Sequence, residues 1–213
     1  MLVPHMYEAP SAAQVDAVIT GHPMAVLVTN GPDVPHATHL PVIRTVDTEQ
    51  TGPGSVLLGH MNRTNPHWSA LTSGTPGKLI FTGPNTYVCP VLYQTEPAAP
   101  TWDFVVVHVS GRVMPLDAGE PTLAVVQRTA ATLEGAFGAG WDHTGSIDYF
   151  RSIVGGVGAF EFVVEQVESM FKLSQEKDHT VRQRLIDDFT SAPRNGSAQV
   201  GQLMSDLNLG VAP

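Results

Sequence analysis

A cluster of polar side chains follows a short apolar segment in the first third of the chain. His60 ends that segment, and Asn62, Arg63 and Asn65 come directly after it. A neutral imidazole can ligate a metal or haem iron through one ring nitrogen, and an arginine beside the start of a helix suits an anion such as a propionate or phosphate. The cluster predicts a cofactor site, with a core histidine bonded to a backbone carbonyl as the alternative for His60.

A second candidate site lies in residues 91–104, where a polar loop bounded by prolines runs into an apolar strand. Loops held on a rigid platform often carry binding groups. Tyr93 and Glu96 lie in the loop, and Trp102 and Asp103 begin the strand. We expect at least one of Tyr93, Glu96 and Asp103 to contact a ligand, and Asp103 could anchor a cationic amine. The alternative is that Asp103 is a solvated residue at the strand end and that Tyr93 and Glu96 are solvated residues of the loop.

His39 and Lys172 are two further candidates for a site. His36 and His39 lie three apart on a predicted strand, so they point to opposite faces and cannot form one chelate without a bulge. His39 alone can line a pocket or serve the structure. Lys172 lies among apolar residues, and burial lets a lysine act as a general base or pair with a propionate or phosphate. A surface lysine whose stem packs on apolar neighbours is the alternative.

Composition restricts the partners and the compartment. A formal charge of −9 and a pI near 5.3 leave no basic surface for a polyphosphate backbone, so we expect no nucleic acid partner. The single cysteine, Cys89, allows neither an internal disulfide nor a cysteine-based zinc site. The N-terminus lacks the features of a signal peptide, and no apolar run approaches the roughly 20 residues that span a bilayer. We expect a cytoplasmic protein without membrane contact.

The elements that must position these groups are mostly short strands. Alternation and turn residues predict strands over 24–29, 38–43, 55–60, 78–82, 86–92, 102–113 and 157–167. Capping residues and apolar spacing predict helices over 11–21, 65–71, 117–137, 146–153 and 178–189. The fold class is α+β, mainly β: a small antiparallel barrel with peripheral helices, because a βαβ alternation is missing. We expect one domain over 1–190 and a flexible tail over 191–213.

Over roughly residues 1–185, the chain resembles the PaiB-type "FMN-binding negative transcriptional regulator" family. The segments that carry this resemblance are residues 59–68, 81–88, 100–104 and 172–175. The resemblance implies an FMN-binding split β-barrel, assembled as a homodimer with cofactor sites where the two subunits meet. The order of strands predicted above agrees with that fold.

Within that family, the loop at 92–102 and the segments 140–151 and 155–160 resemble the piperazate synthase branch. That likeness implies haem b and closure of the N–N bond of L-piperazic acid from the small-molecule substrate N5-hydroxy-L-ornithine. Asp103 stands where the family pattern has asparagine. An FMN-binding PaiB-like oxidoreductase or transcriptional regulator is the alternative, and a non-catalytic haem or flavin-binding module is a third class. For the synthase, the resemblance implies that His60 is the axial haem ligand and that Arg63 and Asn65 lie near a propionate. The other residues expected at the cofactor are Asn62, His39 and Trp102. Lys172 is expected as base or propionate partner, and Tyr93 and Glu96 are expected to contact the substrate.

Overall fold

The computed structural model describes residues 1–45 and 50–210. Its strands are β1 (Met24–Thr29), β2 (His36–Arg44), β3 (Val56–Asn62), β4 (Thr75–Val88), β5 (Thr101–Pro115) and β6 (Val157–Lys172). Its α-helices are α1 (Ala12–Gly21), α2 (Pro66–Ser69), α3 (Glu120–Phe137), α4 (Ile147–Ile153), α5 (His179–Ser191) and α6 (Ser197–Asp206). Short 3-10 helices cover His5–Tyr7, Pro90–Tyr93, His143–Ser146 and Val154–Gly156.

The six strands form a closed antiparallel barrel in the order β1-β2-β3-β6-β5-β4. In its register, Val26 lies opposite His39 across β1 and β2, and His60 lies opposite Ala159 across β3 and β6. Closure pairs each strand on both sides and so leaves no sheet edge to attract another chain. The predicted barrel with peripheral helices is confirmed.

The chain divides into two compact units. Unit one consists of Met1–Pro10, Thr82–Val106 and Ser169–Pro213, and unit two consists of Ser11–Phe81 and Val107–Glu168. Strands β4, β5 and β6 each contribute a part to both units. The single domain expected over 1–190 stays a prediction. Among the described residues, no helix is long and apolar enough to cross a membrane.

Each unit has its own buried apolar side chains, which alternate along the strands as a one-sided sheet requires. In unit two the fully buried ones include Leu27, Leu57, Leu79, Phe81, Phe160 and Phe162. In unit one they include Val88, Val105, Phe171, Leu173, Leu185 and Val200. The helices α5 and α6 therefore contribute to the core of unit one.

The starts of α1 and α5 follow their predicted capping residues, whereas the start of α3 does not. Ser11 accepts a hydrogen bond from the Gln14 amide at 3.3 Å, and Asp178 accepts one from the Val181 amide at 2.9 Å, which confirms both predicted starts. The capping box predicted at Asp117 is wrong, because Gly119, with φ +88°, precedes the first turn of α3. Glycine adopts that backbone conformation without steric cost.

One strand prediction is also wrong. The structure joins the expected strands 78–82 and 86–92 into the single strand β4, and residues Pro90–Tyr93 form a 3-10 helix instead. Glycine and proline, here at positions 83 and 84, usually interrupt a strand. The backbone nevertheless stays extended there, and the Asn85 side-chain amide donates to the Gly83 carbonyl at 3.2 Å.

The segment expected to be a flexible tail contains α6. Val200 and Met204 on this helix are fully buried, and the polar composition of 191–213 concealed this apolar spacing. Residues 211–213 of that tail lie outside the described residues. At the end of α3, Phe137 is 57% exposed.

A close approach fixes α2 against β6 in unit two. A β-carbon on Gly158 would overlap the ring of Trp68, so only a residue without a side chain fits this position of the strand. Trp68 in turn lies under the Arg63 guanidinium, whose central carbon is 5.5 Å from the ring centroid. Gly158 thus sets the position of the segment that carries the first candidate site.

We expect Gly158→Ala to destabilise the protein by about 1–3 kcal/mol, because inserting a methyl group into a filled space displaces the Trp68 ring. Gly155→Ala is the matched control, since nothing lies within 4 Å of a β-carbon there. The free energies of unfolding from urea titrations check the difference. Equal stabilities of the two variants would contradict the close approach.

Candidate functional site

The imidazole of His60 is neutral and partly buried on β3 in unit two. Burial lowers the pKa of His60 below its ordinary value, so its ring nitrogens carry one proton and one free lone pair at neutral pH. Its Nδ1 atom is buried and has no hydrogen-bond partner among residues 1–45 and 50–210. The carbonyl bond that the alternative role requires is therefore not formed at Nδ1, and the imidazole has the form that a metal ligand needs.

Arg63 carries a positive charge that no acidic side chain neutralises in the described part of the chain. Its Nε donates to the Val157 carbonyl at 2.9 Å, and its guanidinium stacks on Trp68. These contacts hold the side chain in one orientation and leave its charge for an anion. A propionate or a phosphate would both meet that requirement.

Asn62 and Asn65 serve the local backbone. The Asn62 side-chain oxygen accepts from the amide and the hydroxyl of Thr64, at 2.8 and 2.9 Å. Asn65 caps α2 by accepting from the His67 amide at 3.0 Å, and it donates to the Thr38 hydroxyl at 3.2 Å. The helix α2 is four residues long, and Asn65 already bonds one of its first amides. The anion site expected beside this helix start stays a prediction.

Sequence reasoning missed His67, which fixes this corner of unit two. Its ring is 2% exposed and forms hydrogen bonds with the hydroxyls of Thr29 and Thr38, both at 2.9 Å. It also stacks on His36 with the ring centroids 5.1 Å apart. Both ring nitrogens are thus occupied, so His67 is structural. His39, by contrast, is exposed on β2.

Unit one contains a buried carboxylate. Asp103 on β5 is fully buried, and its Oδ2 accepts from the Ser174 hydroxyl at 2.8 Å. Its Oδ1 has no partner among the described residues. Burial raises the pKa of Asp103 to about 6, Glu176 adds to that rise, and the Ser174 hydrogen bond and the charge of Lys172 oppose it. Asp103 is therefore not the solvated strand end that its position suggested.

The phenol of Tyr93 belongs to the same unit. It ends the 3-10 helix, is 4% exposed, and its hydroxyl has no partner in the described parts of the chain. Burial, together with the charges of Asp103 and Glu176, raises the pKa of Tyr93 to about 12. Lys177 places its Nζ atom 4.5 Å from the centroid of the Tyr93 ring. Tyr93 remains a neutral hydrogen-bonding group at neutral pH.

The remaining predicted residues of unit one lie closer to solvent. Lys172 donates to the Thr101 hydroxyl and, at 2.9 Å, to the Trp102 carbonyl. Trp102 is 49% exposed and donates to the Asn85 side chain at 3.3 Å. Glu96 lies in a cavity of about 720 Å³, and Trp102 lines one of about 510 Å³. Both volumes are large enough for a small substrate.

Unit two thus contains His60, Asn62, Arg63, Asn65 and His39, and unit one contains Lys172, Tyr93, Glu96 and Trp102. The first set includes a neutral imidazole and a cation that has no acidic partner among the described residues. The second includes Glu96, which lines a cavity. Unit one also contains the buried acid Asp103, which the sequence offered as an anchor for a cationic amine.

Comparison with known proteins places this fold in a family. Residues 1–166 match the family described as "Putative FMN-binding domain". The chain belongs to this family. The curated relative "Protease synthase and sporulation protein PAI 2" of Bacillus subtilis (strain 168) is 24% identical over 210 residues, 97% of either chain. This chain is therefore a PaiB-type FMN-binding split-barrel protein.

Solved structures share the fold of this split-barrel protein. The FAD and haem binding protein from Mycobacterium smegmatis aligns with a TM-score of 0.55 at 14% identity, over 78% of this chain and 73% of that one. The flavocytochrome Anf3 from Azotobacter vinelandii aligns with a TM-score of 0.53 at 14% identity, over 78% and 70%. At these identities the likeness shows the fold alone.

The buried acid of the split-barrel protein predicts a pH-dependent stability. Because the folded-state pKa of Asp103 lies above its ordinary value, its protonated form stabilises the fold below about pH 4, and this contribution is lost as the pH rises through about 6. Asp103→Asn cannot ionise. We expect its free energy of unfolding, relative to wild type, to rise by roughly 1–1.5 kcal/mol between pH 5 and pH 8.

Urea titrations of both proteins at pH 5, 6, 7 and 8 measure this difference. Asp33→Asn, at an exposed position, is the control and should follow the wild type at each pH. A constant difference between Asp103→Asn and wild type across this range would show that Asp103 is not a desolvated carboxyl.

Proposed function

We propose that this protein is a haem-dependent piperazate synthase, which cyclises N5-hydroxy-L-ornithine to L-piperazic acid. The observation that carries the proposal is the neutral, partly buried imidazole of His60 with an unpartnered Nδ1. A histidine that holds haem iron would have to be neutral and have a free lone pair. The free charge of Arg63 fits a propionate. When bound, haem would supply a Lewis-acidic iron centre for the departing oxygen of the substrate.

The reaction balances without a further reagent. The α-nitrogen of the substrate forms the N–N bond, the N5–O bond breaks, and the hydroxyl leaves as water with the proton that the α-nitrogen loses. The hydroxylamine already carries the oxidation level of the product. The protein must therefore hold the two nitrogens together and accept the proton of the α-ammonium group.

Lys172 is our candidate for the base. Its hydrogen bonds to Thr101 and to the Trp102 carbonyl hold its nitrogen at the start of β5. Tyr93 and Glu96 are the candidate substrate contacts, Glu96 through the cavity that it lines. Pairing with a propionate is the second role we propose for Lys172.

A second candidate function has the stronger support from the comparisons. The match over residues 1–166 and the PAI 2 relative favour FMN binding by a PaiB-like oxidoreductase or transcriptional regulator. The Arg63 charge suits a flavin phosphate as well as a propionate. The homodimer stays a prediction for either function, and light scattering checks it against the 22.7 kDa of one chain.

A visible spectrum separates the two candidates. We expect the purified protein to bind haem with a Soret band and to show no flavin absorption. His60→Ala should lose the haem or shift the band while the circular dichroism spectrum stays unchanged, because an axial ligand sets the electronic state of the iron. The exposed His179 provides the control variant His179→Ala. An unchanged band in His60→Ala would assign the ligand elsewhere, with His39→Ala as the next variant.

Turnover tests the synthase itself. We expect the haem-loaded protein to form piperazic acid from N5-hydroxy-L-ornithine without NAD(P)H or O₂, as followed by mass spectrometry. Lys172→Met should lower kcat per haem by about 10²-fold or more, since general bases contribute on that order. Loss of haem with unchanged turnover per haem would make Lys172 a propionate partner. No cyclic product from the fully loaded wild type would refute the synthase and leave the flavin candidate.

A further inference from the structure

Two buried polar atoms in unit one have no hydrogen-bond partner within the described residues. They are Oδ1 of Asp103 on β5 and the hydroxyl of Tyr93 at the end of its 3-10 helix. An unpaired buried polar group destabilises the fold, and an unpaired carboxylate oxygen does so most strongly. Such atoms are rare in folded proteins and call for an explanation. A bound donor group would supply both missing hydrogen bonds.

The surroundings of these atoms select a cation. Burial raises the pKa of Tyr93 most, and the negative charges of the Asp103 and Glu176 carboxylates add to that rise. The two nearby lysines are held by other groups. Lys172 donates to Thr101 and to the Trp102 carbonyl, while Lys177 lies over the Tyr93 ring with its Nζ atom 3.8 Å from Glu176.

The two unpaired oxygen atoms favour an ammonium group over a metal ion. In the described residues, no group of three or more His, Cys, Asp or Glu side chains could hold a metal ion. A primary ammonium group has three N–H donors and one positive charge, so it can bond a carboxylate oxygen and a phenol oxygen together. Residues on either side of Tyr93, namely Pro90, Val91 and Gln94, line the cavity of about 720 Å³. This cavity is therefore formed by the same segment of the chain that carries Tyr93.

We propose that Asp103 and Tyr93 bind the α-ammonium group of an amino-acid substrate, through Oδ1 and the phenol oxygen. The choice of an amino acid rests on the proposed function, in which the hydroxylamino nitrogen is uncharged and the α-nitrogen carries the only ammonium group. Ser174 positions Asp103 by donating to its other oxygen at 2.8 Å. Asp103 thereby distinguishes α-amino acids from compounds of the same length without an α-amine.

Calorimetric titration of the purified full-length protein tests this site with two probes. L-ornithine carries the α-ammonium group, and 5-aminopentanoate differs from it only in lacking that group. We expect wild type to bind L-ornithine at least 10-fold more tightly than 5-aminopentanoate. Asp103→Asn, which keeps the shape and removes the charge, should weaken L-ornithine binding by about 10–100-fold and leave 5-aminopentanoate binding unchanged.

Tyr93→Phe is the second variant and should weaken L-ornithine binding by about 3–10-fold, because it removes one neutral hydrogen bond. Asp206→Asn is the control, since Asp206 is exposed on α6 of the same unit. Circular dichroism establishes that each variant is folded. Equal binding of the two probes by wild type, or unchanged L-ornithine binding by Asp103→Asn, would overturn the proposal.

These binding measurements need no turnover, so they separate this inference from the proposed function. A protein that binds L-ornithine through Asp103 but forms no piperazic acid would refute the synthase and support the ammonium site. A protein that forms piperazic acid with an unchanged KM in Asp103→Asn would support the synthase and overturn the site.

Discussion

Closure of the six-stranded barrel is the constraint on which the positions of the candidate groups depend. In a closed sheet each strand is paired on both sides, so a shift in one register would have to propagate around the ring. The orientation of His60 on β3 follows from its pairing with Ala159 on β6. Asp103 near the start of β5 and Lys172 at the end of β6 belong to the same ring. The barrel thus places chemical groups on backbone that cannot adjust locally.

The parts of this fold that the sequence predicts well are those with local signals. Strand β1 was predicted with the bounds that the structure shows, because an apolar run lies between Pro23 and the Asn30-Gly31 turn. The start of α1 follows from Ser11 alone. The continuity of β4 was missed, since Gly83 and Pro84 are local signals for a break that the pairing of a long strand overrides.

The groups that the sequence could not reveal depend on contacts between distant residues. His67 is structural because of hydroxyls 38 and 29 positions away, on Thr29 and Thr38. Asp103 looks like a solvated residue at the start of a strand, and its burial with Ser174, 71 positions further on, has no local signature. Residue type and spacing therefore identified the segments that carry candidate groups. They could not assign which side chain in each segment is left without a partner.

Desolvation shifts the pKa values of His60 and Asp103 in opposite directions. It lowers the pKa of the imidazole and so favours its neutral form. It raises the pKa of the carboxyl, so the ionised form at neutral pH is unfavourable in the absence of a cation. An asparagine at position 103 would avoid that penalty and could still accept from Ser174. A positive ligand group at this site would offset the cost of a buried carboxylate. Its binding would stabilise both the charged form of Asp103 and the folded protein.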